Sequence, residues 1–304
     1  MARERWRLLV TRNLRGSHNM AIDHILAAQS QEHSPPVLRL YDWSPPAVSL
    51  GYHQNATEVD LDRTRDFGVD VVRRPTGGRA VLHANELTYS VVLPAGSPYF
   101  SRRPEDIYFL LSRCFLRALR LFGIAVQPAG PERRERPPSR SLAGAACFAA
   151  SARHELKVNG RKILGSAQRR YPCAVLQHGS LLIGPEHLLL ADLLRKEPEE
   201  RQRLRAILSQ RTTSLREETG RPLSFPDVAE VVTRAFSEEL QIELQPDELV
   251  PSEVQAAEAA EHLFKVGGGR VNAEEQAARP DPARRDGLRA WAGFPLLHLQ
   301  TPRD

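Results

Sequence analysis

The residues with most scope for nucleophilic chemistry in this 304-residue chain are three cysteines, Cys114, Cys147 and Cys173, and four lysines, Lys157, Lys162, Lys196 and Lys265. The lysines stand out because lysine and arginine together number 42, so arginine has taken almost every basic position. Arginine holds its charge permanently and lysine can release a proton, so a retained lysine is a candidate for chemistry that arginine cannot perform. A thiol reacts as its thiolate, and a neighbouring cation makes that form available near neutral pH. Cys114 falls on the apolar face of an expected helix and Cys173 opens a strand in Tyr-Pro-Cys; both read as structural, since a free cysteine behaves as a small hydrophobe. Cys147 fits neither pattern. It follows a Pro-, Arg- and Ser-rich stretch, 128–144, read as a long mobile loop, and precedes a hairpin that carries Arg161-Lys162. Cys147 and Lys162 are therefore the candidate nucleophile and its activator.

The turn Thr76-Gly77-Gly78-Arg79 follows a strand, and its glycines permit close approach of backbone to a ligand. It has neither the GK[ST] of a P-loop nor a GxGxxG, so a nucleotide cradle is not indicated. His83 and His178 are embedded in strand-like sequence. No His, Cys, Asp and Glu spacing matches a metal site, so no metal is expected. No GxSxG is present, although a Ser-His-Asp arrangement stays open. Arg169-Arg170 reads as a solvated or partner-facing patch.

The elements that must position these residues follow from periodicity. Residues 17–31 predict a helix starting at a Ser17 cap, with Met20, Ala21, Ile25 and Ala28 at helical spacing. Segments 37–43 and 47–53 predict two strands split by Pro45-Pro46, and a short helix ends at Gly68. Segments 69–76, Arg79–His83 and 86–94 predict further strands. Pro104–Phe122 has the clearest helical period. Asn159-Gly160 predicts a hairpin turn within 154–168, residues 174–184 another strand, and 186–245 helices. Beyond about residue 250 the chain turns Ala/Glu/Arg-rich and reads as a poorly ordered tail. This pattern predicts one large α+β domain built on a mixed sheet flanked by helices. Net charge is +5, which permits acidic partners. Aromatics are 6%, too few for a base-stacking platform, so no nucleic acid is expected. The absence of a long apolar run leaves no membrane span, the N-terminal apolar stretch Leu8-Leu9-Val10 is too short for a secretory signal, and three cysteines make no disulfide framework; a cytoplasmic enzyme with reduced thiols is expected.

Arg73-Arg74-Pro75-Thr76-Gly77-Gly78-Arg79-Ala80-Val81-Leu82-His83 and Glu86-Leu87-Thr88-Tyr89-Ser90 resemble the lipoate/biotin protein ligase superfamily. Cys147-Phe148, Gly160-Arg161-Lys162, Gly165-Ser166-Ala167-Gln168 and Leu176-Gln177-His178-Gly179-Ser180 continue the match in chain order, and over residues 5–248 the pattern is similar to the octanoyltransferase branch of LipM type. The resemblance implies a ligase-like catalytic domain over residues 30–248 with 5–29 packed on it, 249–304 remaining as tail. It implies transfer of octanoyl from acyl carrier protein, through a cysteine thioester, to a lysine of a lipoyl domain (glycine cleavage H protein or a 2-oxoacid dehydrogenase E2), in lipoate biosynthesis and without a cofactor. By position, Cys147 matches the acyl-thioester nucleophile and Lys162 the lysine that activates it. Arg74, Gly77, Gly78, His83 and Ala167 match positions around the acyl pocket beneath the Gly-Gly turn. Both carrier families are acidic, which suits an Arg-rich surface. Two departures stand out: Ala149 and His154 occupy places where relatives tend to have an acidic and an aromatic residue. ATP-dependent lipoate ligases commonly carry a third glycine where this chain has Arg79. Such a ligase, and an amidotransferase moving octanoyl between lipoyl domains, are the competing readings.

Overall fold

Trp6 and Leu9 are buried among arginines along Arg5–Leu14, and this stretch, for which periodicity predicts no element, is strand β1. Its arginines disguise it. Arg5, Arg7 and Arg12 reach outward to Glu243, Asp247, Glu253 and Asp42 while Trp6 and Leu9 face the core. The computed structural model describes residues 3–126 and 156–266. In chain order, β1 is followed by α1 (Gly16–Ala28), β2 (Val37–Trp43), β3 (Ala47–Leu50), α2 (Leu61–Asp66), β4 (Asp70–Arg73), β5 (Val81–His83), β6 (Glu86–Pro94) and α3 (Pro104–Leu121). The second described stretch holds β7 (Leu156–Val158), β8 (Arg161–Arg170), β9 (Ala174–Leu182), α4 (Leu190–Leu193), α5 (Pro198–Arg211), α6 (Leu215–Thr219), α7 (Phe225–Leu240), β10 (Glu243–Asp247) and α8 (Pro251–Ala260).

The fold is α+β, as expected. A seven-stranded mixed sheet runs in the order β10-β1-β2-β6-β9-β8-β7, and a three-stranded sheet in the order β4-β3-β5. The pairs β10–β1 and β1–β2 are parallel and the rest of the large sheet is antiparallel. Every residue of β6 is buried, as a central strand covered on both faces requires. On one face, Leu38, Leu40, Leu87 and Val91 pack under α3 and α7 through Leu111, Phe115, Val232 and Phe236. On the other, Val37, Tyr41 and Leu176 pack under α1 through Met20, Ile22 and Leu26. Leucine-rich α3 starts at Pro104 with Glu105 and Asp106 in its first turn, and α7 starts in a Ser224–Asp227 capping box.

The two strands expected on either side of Pro45-Pro46 are present, β2 in the large sheet and β3 in the small one. Three expectations need correction. Ser17 does not cap α1. Arg15 is the cap position, and the Ser17 hydroxyl donates instead to Glu261 at 2.6 Å. The helical zone expected to 245 ends at Leu240, and Glu243–Asp247 is an edge strand that tolerates Pro246. The tail expected from 249 begins with helix α8 and a 3-10 turn, Glu261–Phe264, docked on α1. Only Ala257 and Phe264 of that stretch are buried, and polar contacts hold it as well, Arg7 to Glu253 at 2.6 Å and Ser17 to Glu261 at 2.6 Å. Such a contact leaves no apolar period to read.

Candidate active site

The two sheets and α1 enclose a slot lined by Met20, Tyr41, Trp43, Ser49, Arg74, Val81, His83, Thr88, Gly165, Ser166, Ala167, His178, Gly179 and Ser180. Its volume is about 410 Å³, open mouth included. Three of the expected pocket residues, Arg74, His83 and Ala167, therefore face one cavity. The expected Gly77 and Gly78 do not line it; their turn is joined to it through Arg74. Arg74 is buried and donates twice to the Gly77 carbonyl, at 3.1 and 2.8 Å, and once to the Arg79 carbonyl at 2.8 Å. Gly78 has φ of 103°, a backbone conformation that a side chain strains, and its carbonyl lies where a Cβ on Gly51 would overlap it. Gly179 is needed for the same kind of reason: its Cβ would overlap the Gly165 carbonyl on the neighbouring strand.

Lys162 is 3% exposed on β8. Positive φ at Asn159 (50°) and Gly160 (78°) makes the tight turn that returns β7 into β8. Lys157 pairs with Lys162 across this hairpin, but Leu156 pairs with Leu164, so β8 carries one extra residue. With Ile163 and Leu164 both in the core, this bulge puts Lys162 on the strand face shared by Gly165 and Ala167, which line the slot, although Lys162 itself is not among the lining residues. The Lys162 carbonyl accepts from Thr213 N at 3.0 Å. The adjoining Thr212 hydroxyl donates to the Leu208 carbonyl and accepts from His187 Nε2 at 2.7 Å. Burial pushes the His187 imidazole down to about 4. A histidine lowered from an unfolded value of about 6.5 contributes stability above that pH and loses it as pH falls towards 4, here by about 3 kcal/mol. Chemical denaturation at neutral pH and near the folded value should show this loss, and His187→Gln should flatten the profile; equal slopes for both proteins would refute it.

Two chains of acid, imidazole and hydroxyl wall the slot. Asp23 Oδ2 accepts from His178 Nδ1 at 2.9 Å, and the Thr76 hydroxyl donates to His178 Nε2 at 2.6 Å. Asp23 is wholly buried, which pushes its carboxyl up, but the His178 hydrogen bond and the Arg39 charge outweigh burial and hold it below its ordinary value. Burial pushes His178 down, against the pull of Asp23. With Arg39 at 2.7 Å from Asp23, the cluster is then a neutral imidazole beside a balanced ion pair. In the second chain Glu86 Oε1 accepts from His83 Nδ1 at 2.6 Å, and Ser49 Oγ lies 2.7 Å from His83 Nε2 while accepting from Arg74 Nη1 at 3.2 Å. His83 stacks flat on Trp43, with centroids 4.0 Å apart. The arrangement left open by the sequence thus exists twice, but the hydroxyls of Ser49 and Thr76 are buried, so both chains serve as walls. Sequence reading missed Asp23, Arg39 and Ser49. An aspartate and an asparagine, Asp23 and Asn19, on the apolar face of α1 were the available signal.

Cys114 is buried as expected, and burial pushes its thiol far up, which makes it inert. Cys173 is half-buried. Cys147 lies outside the described residues, as do Ala149, His154 and the stretch 128–144. Among the described residues no helix is long and apolar enough to cross a membrane.

Residues 15–237 match the family described as Lipoyl protein ligase A/B catalytic domain, and the chain belongs to that family. It is similar to a protein named Octanoyltransferase LipM from Kyrpidia tusciae, 40% identical over 256 residues that cover 83% of this chain and 93% of the relative. A protein of the same name from Geobacillus kaustophilus is 37% identical over 258 residues, covering 83% and 92%. Within the family the chain is thus an acyltransferase. The fold is shared with a bi-partite lipoate protein ligase from Thermoplasma acidophilum at a TM-score of 0.69 and 23% identity, covering 85% of this chain and 92% of that one.

Proposed function

We propose that the protein transfers an octanoyl group from acyl carrier protein to a lysine of a lipoyl domain, with Cys147 carrying the group between them. The observation that supports this most is the bulge that turns buried Lys162 onto the slot face of β8. Octanoyl arrives as a thioester. The Cys147 thiolate attacks the carbonyl, a thioester on Cys147 forms and the carrier leaves as its thiolate, an exchange close to energy-neutral. The neutral acceptor amine then attacks, an amide forms, the C–S bond to Cys147 breaks and the amine's proton goes to the departing carrier or cysteine thiolate, which is downhill. Each buried CH₂ in the slot contributes about 0.8 kcal/mol, enough over an eight-carbon chain to select its length. The Lys162 ammonium favours the thiolate and donates to the carbonyl oxygen as charge develops there. Cytoplasmic conditions keep such a thiol reduced.

A thioester donor is already activated, so ATP has no step to drive. Incubation with octanoyl-acyl carrier protein after exhaustive nucleotide removal should yield an acyl adduct by intact mass, removed by hydroxylamine, and an octanoylated lipoyl domain. Dependence on ATP with free octanoate would establish the ligase reading instead.

A further inference from the structure

Some arginines of the described residues are matched to carboxylates, Arg7 to Glu253 and Arg117 to Glu238 among them. Those around the Pro75–Arg79 turn are held differently. Arg73 Nη1 donates to the carbonyls of Gly51, Tyr52 and Gln54. Arg169 Nη1 donates to the Pro75 carbonyl at 3.0 Å, and its guanidinium lies 5.0 Å from the ring centre of Tyr52, itself 49% exposed. Arg79 is exposed. Among the described residues none of these three is in an ion pair with a carboxylate. Backbone carbonyls thus fix Arg73 and Arg169 in place without cancelling their charge. None of the three lines the slot, but each adjoins it along the chain: Arg73 precedes Arg74, Arg169 follows Ala167 by two residues, and Arg79 lies between Arg74 and Val81, with its carbonyl held by Arg74.

We propose that Arg73, Arg79 and Arg169, with the Tyr52 ring, form the docking surface for the donor, an acidic carrier protein whose thioester arm is joined through a phosphodiester. This rests on the octanoyl-transfer reading above. Two features select the donor over the acceptor. An arm delivering its acyl chain into the slot must pass the turn, and it brings an anion that three uncompensated guanidiniums attract. The acceptor domain is acidic too, but its reacting group is a lysine on the chain itself, with no phosphodiester for the guanidiniums to hold. Arg79 is also the residue that replaces the ligases' third glycine, so the added charge stands where this chain departs from enzymes that use a free acid.

The experiment uses full-length Arg79→Glu and Arg169→Glu proteins, with Arg79→Lys as the conservative variant. Binding of fluorescently labelled acyl carrier protein is read by anisotropy, apart from turnover, and KM is measured for octanoyl-acyl carrier protein, for the uncharged octanoyl-N-acetylcysteamine thioester and for the lipoyl domain. Each reversal should weaken carrier binding and raise the carrier KM roughly tenfold or more at low salt, with wild-type binding itself falling as salt rises. Arg79→Lys should keep most of the affinity, and the small thioester and acceptor should be unaffected. Unchanged carrier binding would overturn the proposal, as would an equal loss with the small thioester or a loss confined to the lipoyl domain. A wild-type enzyme that binds the carrier through this patch yet takes no octanoyl from it would instead overturn the transfer reading.

Discussion

Cys147→Ala should abolish both the octanoyl adduct and transfer to the lipoyl domain, while Cys114→Ala and Cys173→Ala keep them. Covalent transfer splits one difficult acyl exchange into two easier ones, and without the nucleophile the first has no route. The three cysteines differ in what surrounds them. Cys114 sits inside the α3–α7 contact with its sulfur turned to the Leu110 carbonyl, so burial denies it the thiolate. Cys173 stands at the turn into β9, where its carbonyl accepts from Ala95. Neither thiol lines the slot. Intact mass of the three variants after mixing with octanoyl-acyl carrier protein checks this, and full transfer by Cys147→Ala would rule out covalent catalysis.

Lys162→Arg should lose most activity, on the order of the ~10²–10³-fold that follows removal of one preorganised transition-state donor. If charge alone were needed, arginine would serve. Lys162 is instead enclosed, its strand fixed on one side by the Asn159-Gly160 turn and on the other by Thr212 and Thr213. A planar, larger guanidinium does not place one compact donor near both sulfur and carbonyl oxygen. The chain's own usage points the same way, with arginine next door at 161 and lysine kept at 162. Lys162→Ala should also move the thiol titration up towards the free value of about 8.5. Alkylation rate against pH separates the two effects. Near-normal turnover by Lys162→Arg would sink the geometric argument, and an unmoved thiol in Lys162→Ala the electrostatic one.

Where chemistry and local rules agree, the sequence was legible. The Asn159-Gly160 turn, the α3 stripe and the Gly77-Gly78 turn all appear where their residues put them. What escaped reading is held by long-range pairing. Strand β1 was hidden because its arginines find carboxylates more than two hundred residues away. Helix α8 was hidden because only Ala257 of it is buried, and its ion pair, Arg7 to Glu253, reaches back to β1. In the site, Arg74 and His83 were named from motif alone, whereas Asp23 becomes meaningful only when β9 brings His178 to it. A register shift of one residue in β8, which decides the face Lys162 shows, leaves no mark on composition at all.

The paired imidazole walls have a consequence for hydration. Thr76, Ser49, Thr88 and Ser180 direct their protons at His178, His83 or Glu86, so hydroxyls around a slot for a hydrocarbon are already engaged by protein. Water entering such a space finds few partners and is poorly held, although the residues look hydrophilic in a list. Displacing poorly ordered water by an alkyl chain is favourable, and in a preformed, poorly hydrated site it often appears as released heat with a negative heat-capacity change. The hydroxyl-rich strands around the pocket thus work to keep it dry, and acyl entry draws its driving force from solvent that was never comfortable there.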